Sequence, residues 1–301
     1  MQVCRSLVGG EELAGDAPAI DKIYPATGEV IARIEPADDA VLDRAVGIAA
    51  AAQKEWALRS GHDRAQVLAR AARLLREHND ELARIEVLDV GKVYGEAVSA
   101  DVPSGADAMD FFAALAQTDT GDMRRYPDAI AYCERVPLGI CAGIGAWNYP
   151  VQIACWKAAP ALAAGNAFIL KPSEMTPLTA PKIAEIFTEC GLPDGVFNVV
   201  QGKGETGQAL VAHSGIRKVS LTGSVPTGRK VMRSAAATLK HVTMELGGKS
   251  PLIVLEDADL DLAARTAALM YRNATQVCLA GTRLLVHASV RDAFVERMRG
   301  C

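Results

Sequence analysis

The chain is poor in the features that mark several large classes of protein. It has no surplus of positive charge: 32 lysines and arginines stand against 36 aspartates and glutamates, giving a formal net charge of −4. No local cluster of basic residues makes up the difference. A phosphate backbone is held by such clusters, so no nucleic-acid partner is expected. No apolar run reaches the roughly 20 residues that span a bilayer, and the opening MQVCRSLVGGEELAG lacks a basic leader followed by an apolar core. The expected location is the cytoplasm, with no membrane partner. The seven cysteines (Cys4, Cys133, Cys141, Cys155, Cys190, Cys278, Cys301) never form a CxxC pair and show no zinc-like spacing with histidine. They read as free thiols in a reducing compartment, each a small buried hydrophobe unless its neighbours say otherwise.

With 301 residues, half of them apolar, the chain can bury one large core or two smaller ones. From Asp38 to His78 apolar residues recur at spacings of three and four, with charges opposite, which predicts helices with start signals at Asp38 and Asp63. Further helices are expected from Asn79 to about Val90 and from Val102 to Ala116. After about Tyr126 the texture changes. Short apolar runs (LGICAGIGAW, NAFILKP, GVFNVVQG, KVSLTGS, HVTMELGG, SPLIVL) alternate with helical segments near 151–164, 176–190, 205–213, 226–238 and 259–272. That alternation predicts an α/β fold, with a Rossmann-type parallel sheet flanked by helices. In such sheets ligands bind beyond the carboxyl ends of the strands.

Those ends carry the polar residues. Gly202-Lys203-Gly204-Glu205-Thr206-Gly207 matches GxGxxG, follows a strand and opens a helix. It lacks the acidic residue that the dinucleotide fingerprint places about 20 positions further on. It is therefore either a phosphate loop or a plain tight turn. Gly223 and Ser224 precede a helix whose N–H groups can meet a pyrophosphate; Ser224 can equally be an ordinary cap. Lys171 can donate to ribose hydroxyls and Glu174 can accept from them, and a carboxylate there repels a 2′-phosphate, favouring NAD over NADP. Glu245, ahead of Leu246-Gly247-Gly248, is expected at a strand end where burial raises a carboxylate toward the range of a general base. Asn148 offers an amide for an oxyanion, or forms the turn before Pro150. Cys278, in YRNATQVCLAGTR, is the thiol that follows this polar set.

The stretches GIGAWNYPVQIACWKAAPALAAGNAFILKPSE, GSVPTG and MELGGKSPLIVLEDADLDLA together resemble the NAD-dependent aldehyde dehydrogenases. The likeness runs from about Tyr24 to the last residue and is strongest to betaine aldehyde and trimethylaminobutyraldehyde dehydrogenases. The resemblance implies that Cys278 attacks the aldehyde, that Asn148 stabilises the oxyanion with the Cys278 N–H, and that Glu245 activates the hydrolytic water. It gives Lys157 a charge-relay role. It places Ile144, Trp147, Lys171, Ser173, Glu174, Gly204, Gly223, Ser224, Thr227 and Leu246 around NAD. Tyr149 and Trp156 are implied to line a substrate tunnel, where aromatic faces hold a quaternary ammonium. Ile23 and Asp89 mark a monovalent-cation site, with Lys22 beside it able to replace or exclude the ion.

The same resemblance divides the chain into a NAD-binding domain (1–119 and 138–246), an oligomerisation hairpin (120–137) and a partial catalytic domain (247–301). It implies a homo-oligomer whose C-terminal assembly strand lies outside this sequence. Thr275 stands where the family carries glycine before Gln-x-Cys, and a positive φ there would cost a β-branched residue on the order of 1–3 kcal/mol. Two alternatives stay open: a dinucleotide-binding fragment without turnover, and an acylating or semialdehyde dehydrogenase of the same superfamily.

Overall fold

The computed structural model describes residues 1–118 and 120–300, so the Cys301 thiol lies outside the described residues. The chain divides into two compact units, 1–245 and 246–301.

The first unit is built on a seven-stranded sheet whose order is His241–Leu246, Ile216–Gly223, Ile140–Ile144, Ala167–Lys171, Phe197–Val199, Ser6–Val8 and Glu11–Leu13. The four strands from Ile216–Gly223 to Phe197–Val199 run parallel, as the alternation of apolar runs with helices requires. The last two are antiparallel, so the sheet is mixed rather than purely parallel. These N-terminal strands are only three residues long, too short to show a period of two. A separate three-stranded sheet pairs Gln2–Cys4, Val30–Ile34 and Ile20–Ile23.

Helices follow the expected stretches closely. Asp38 caps Asp39–Leu58 by accepting from the Val41 N–H. The next helix, Gly61–Glu77, is capped by Ser60 and not by Asp63. Asp63 sits in the first turn, where its carboxylate accepts from the Ser60 hydroxyl at 2.6 Å, and its negative charge still suits the helix N-terminus. The Gly61–Glu77, Val102–Thr118, Pro150–Ala163 and Thr179–Glu189 helices pack one continuous core with the central strands. Trp56, Phe168, Phe187, Leu68, Leu82 and Met109 are fully buried there, and each such side chain contributes about 1.5–3 kcal/mol of burial. An antiparallel hairpin, Asp122–Arg125 with Ile130–Cys133, stands out from this core with all eight residues exposed.

The second unit pairs Pro251–Val254 with Arg283–Val286 in parallel and adds the helices Leu260–Ala268 and Arg291–Met298. Its core is small: Val254, Ala264, Ala267 and Phe294 are its buried members. Ile253 and Leu285 remain about half or more exposed. The helix expected to reach residue 272 ends at Ala268. Beyond it Arg272 is extended and Asn273, Ala274 and Thr275 have positive φ. Thr275, at φ 66°, does occupy the conformation that disfavours a β-branched residue.

Candidate functional site

Strand register builds the site. Ile144 is level with Lys171 on one side and with Leu221 on the other, so two parallel strands end together, the third runs on to Gly223, and all three release their following residues at one rim. A cleft of about 760 Å³ opens at that rim, lined among others by Ile144, Lys171, Gly204 and Thr227. Ligand clefts are commonly of this size and commonly lie at this place in a doubly wound sheet.

Lys171 is almost wholly buried, and burial lowers its pKa while Glu174 opposes the shift. Its ammonium donates to the Gly202 carbonyl at 2.7 Å and lies 3.4 Å from Glu174 Oε2. Gly202 can present that carbonyl because its φ of 148° is one that side-chain-bearing residues rarely adopt. Gly204 then begins the Gly204–Ala212 helix, whose Lys203 N-cap makes no side-chain capping bond. The GxGxxG stretch is thus a tight turn that opens a helix into the cleft. Ser173 accepts from the Met175 N–H. Ser224 caps the Val225–Ala236 helix through the Thr227 N–H, so its ordinary capping role is real. Trp147, Ser173, Glu174, Gly223, Ser224 and Leu246 are not among the residues lining the cleft.

The cleft also carries cations that no sequence motif marks. Lys203, Lys230 and Arg233 line it, and helical spacing held the signal: Thr227, Lys230, Val231 and Ser234 share one face of a helix. With Lys171 these cations outnumber the one carboxylate on the wall, Glu205, and together with the N-terminus of the Gly204–Ala212 helix they fit a dinucleotide diphosphate.

Lys157 is buried under the sheet and donates to Ser220 Oγ at 2.9 Å. Burial brings its pKa down to about 8, with Glu245 pulling the other way. Glu245 itself departs from expectation. It is exposed, not buried, because its strand is an edge strand whose residues alternate between exposed and half-buried. Cys278 is an exposed free thiol in the second unit.

The aromatic pair also differs from its expected use. Trp156 is 47% exposed and its indole N–H donates to the Ser104 carbonyl. Tyr149 carries a cation already: Lys92 Nζ lies 4.3 Å above its ring. The cation expected near Ile23 and Asp89 is likewise supplied by the chain. Lys22, 3% exposed, donates to the main-chain oxygens of Ile23 at 2.9 Å and Asp89 at 2.7 Å, so the oxygens an ion would need are taken. Asp89 Oδ2 accepts from the Leu178 and Thr179 N–H groups. Among the described residues no group of three or more histidines, cysteines and carboxylates could hold a metal ion, and no helix is long and apolar enough to cross a membrane.

The aldehyde dehydrogenase family model matches residues 13–300. The chain is similar to the γ-glutamyl-γ-aminobutyraldehyde dehydrogenase of Burkholderia cenocepacia J2315, with 40% identity and a TM-score of 0.94 over 99% of this chain and 62% of that one. An aldehyde dehydrogenase from Bacillus cereus, solved as its NAD+ complex, shows 36% identity and a TM-score of 0.95 over 99% and 62%. An NADP-dependent enzyme from E. coli shows 36% and 0.96 over 99% and 63%. The chain therefore spans 62–63% of the length of these three relatives. On the match across residues 13–300 and on the fold, the chain belongs to the aldehyde dehydrogenase family.

Proposed function

We propose that this protein oxidises an aldehyde to a carboxylic acid with a nicotinamide cofactor. The observation that carries the reading is the cleft of about 760 Å³ at the carboxyl ends of the parallel strands, with Lys171 and the Gly204 helix terminus on its wall. Similarity to enzymes solved with NAD+ or described as NADP-dependent supports the cofactor class. Lys171 and Glu174 favour NAD, because a carboxylate at that place repels a 2′-phosphate.

In this reading the bound cofactor supplies a hydride acceptor. The exposed Cys278 loses its thiol proton to solvent and its sulfur bonds to the aldehyde carbon; the carbonyl π pair moves to oxygen, and the Asn148 amide with the Cys278 N–H stabilises that charge. The aldehyde hydrogen then leaves with its electron pair and a thioester remains on Cys278. Glu245 takes a proton from water, the water oxygen bonds to the acyl carbon, and the carbon–sulfur bond breaks to release the acid and the thiolate. Lys157 is proposed to relay charge beside Glu245. The exposed hairpin Asp122–Arg125/Ile130–Cys133 is proposed as the assembly surface of a homo-oligomer, with Met123 and Tyr132 as its apolar contacts.

Betaine aldehyde is the finer reading of the substrate. It rests on the sequence resemblance and on Trp156, whose exposed face is open to a quaternary ammonium. Tyr149 contributes less to such a cage, since one ring face already meets Lys92. The test is reduced-cofactor formation by the purified 301-residue chain with NAD and, in turn, betaine aldehyde and its uncharged carbon isostere 3,3-dimethylbutanal. Turnover that vanishes in Cys278→Ala supports the mechanism. A clear preference for the cation supports the cage; no turnover in a folded sample that binds NAD favours the dinucleotide-binding fragment.

A further inference from the structure

Three ionisable side chains lie buried together behind the Asn148 turn. Glu86, Lys92 and Asp101 are 0%, 5% and 2% exposed. Glu86 is on the Asn79–Val90 helix, which Gly91 ends with a left-handed φ of 76°. That conformation reverses the chain cheaply only at glycine, and Lys92 follows at once. Asp101 closes a π-helical turn, Ala97–Asp101, of the kind often found at functional sites.

The contacts converge on Lys92. Its ammonium donates to the Asp101 carboxylate, lies 3.4 Å from Glu86 Oε2 and donates to the Asn148 carbonyl at 2.9 Å. The same nitrogen lies 4.3 Å from the centre of the Tyr149 ring. Glu86 Oε1 accepts from the Val151 N–H at 2.9 Å. Residues 148, 149 and 151 are thus each tied to one cluster. Burying such charges is costly, and well-packed apolar residues in their place are often neutral or stabilising. Stability alone therefore does not account for the trio. Besides one another, what they hold is this turn.

We propose that Lys92 is a positioning residue for the Asn148–Tyr149 turn: by holding the Asn148 carbonyl and one face of the Tyr149 ring, it fixes the backbone from which the Asn148 amide is presented. The inference rests on the proposed role of that amide as an oxyanion donor. Donors of this kind act because they are in place before charge develops, and a slack turn forfeits that advantage.

The test uses the full chain with Lys92→Met and Asp101→Asn combined, which removes one positive and one negative charge together. Burial raises Glu86 to about 8, and losing Lys92 removes the charge that opposes this shift, so at neutral pH the carboxyl left behind is mainly neutral. Amide hydrogen exchange in residues 148–153 is expected to rise at least about tenfold while the rest of 1–245 is unchanged, and kcat with an aldehyde to fall about 10–100-fold with KM for the cofactor unchanged. Should the double variant fail to fold, Lys92→Arg carries the same test, because a planar guanidinium cannot place one compact ammonium against both ring and carbonyl. Unchanged exchange at 148–153, or a rise spread through the whole unit, overturns the proposal. A wild-type chain that turns over no aldehyde sinks the oxidative reading instead, and the exchange measurement still decides what Lys92 does.

Discussion

The two units differ in how much of their structure they can hold by themselves. Residues 1–245 share a core in which helices and central strands bury dozens of apolar side chains, whereas residues 246–301 bury Val254, Ala264, Ala267 and Phe294. The proposed cofactor cleft belongs to the first unit and the proposed nucleophile to the second. The lesson is that family membership, cofactor binding and turnover need not stand or fall together, because they draw on regions of very different cohesion.

The strongest way to break the comparison is to take one aromatic from each core. Phe168→Ala should cost about 3–5 kcal/mol and lower the main thermal transition, read by calorimetry. Phe294→Ala should leave that transition in place and raise hydrogen exchange only within 246–301. Equal effects on one shared transition would show that the two regions unfold as a single body.

A pH series sharpens the same contrast with a smaller effect. Burial raises Glu86 from its ordinary 4.5 to about 8 and Asp89 from 3.8 to about 7. The folded first unit therefore holds protons that the unfolded chain has released, and its stability should fall as pH rises through the window from about 4 to 8. The loss is complete above the folded-state values. Glu86→Gln should flatten the Tm-against-pH curve, and an unaltered slope would show that Glu86 ionises freely. Among the described residues of the second unit no carboxylate is buried in the core, so its exchange rates, corrected for intrinsic pH dependence, should change little over this range.

The smallest effect expected is a gain. Thr275 at φ 66° is strained for a β-branched residue, so Thr275→Gly should stabilise the second unit by about 1 kcal/mol, offset in part by glycine's greater freedom when unfolded. Slower exchange confined to the neighbourhood of Cys278 would confirm it. A destabilised variant would mean that the threonine's packing outweighs its strain.

How much was legible in the sequence follows from the range over which each feature is encoded. The helices from Asp39 to Val90 and the strand–helix alternation after Ile140 are written in local periodicity, and they formed nearly where the spacing places them. The strain at Thr275 is implied by the family resemblance, which has glycine at that place; a β-branched residue does not by itself reveal a positive φ. Ser60 went unrecognised as a cap because Asp63, three residues on, carries an equally plausible side chain. Lys203, Lys230 and Arg233 were hidden because a cleft is assembled from separate elements. Glu86, Lys92 and Asp101 were harder still: Lys92 and Asn148 are 56 positions apart, and no periodicity relates a lysine to a carbonyl that distant. Glu245 was expected to be buried from its apolar neighbours alone, which do not reveal that its strand is the last in the sheet.

Lys22 has a practical consequence. A dissolved ion leaves its oxygens on dialysis and is exchanged for whatever the buffer offers, but an ammonium on a side chain is retained by a covalent tether. With the Ile23 and Asp89 carbonyls bridged in this way, that corner of the molecule carries its counter-charge as part of its own genetic sequence.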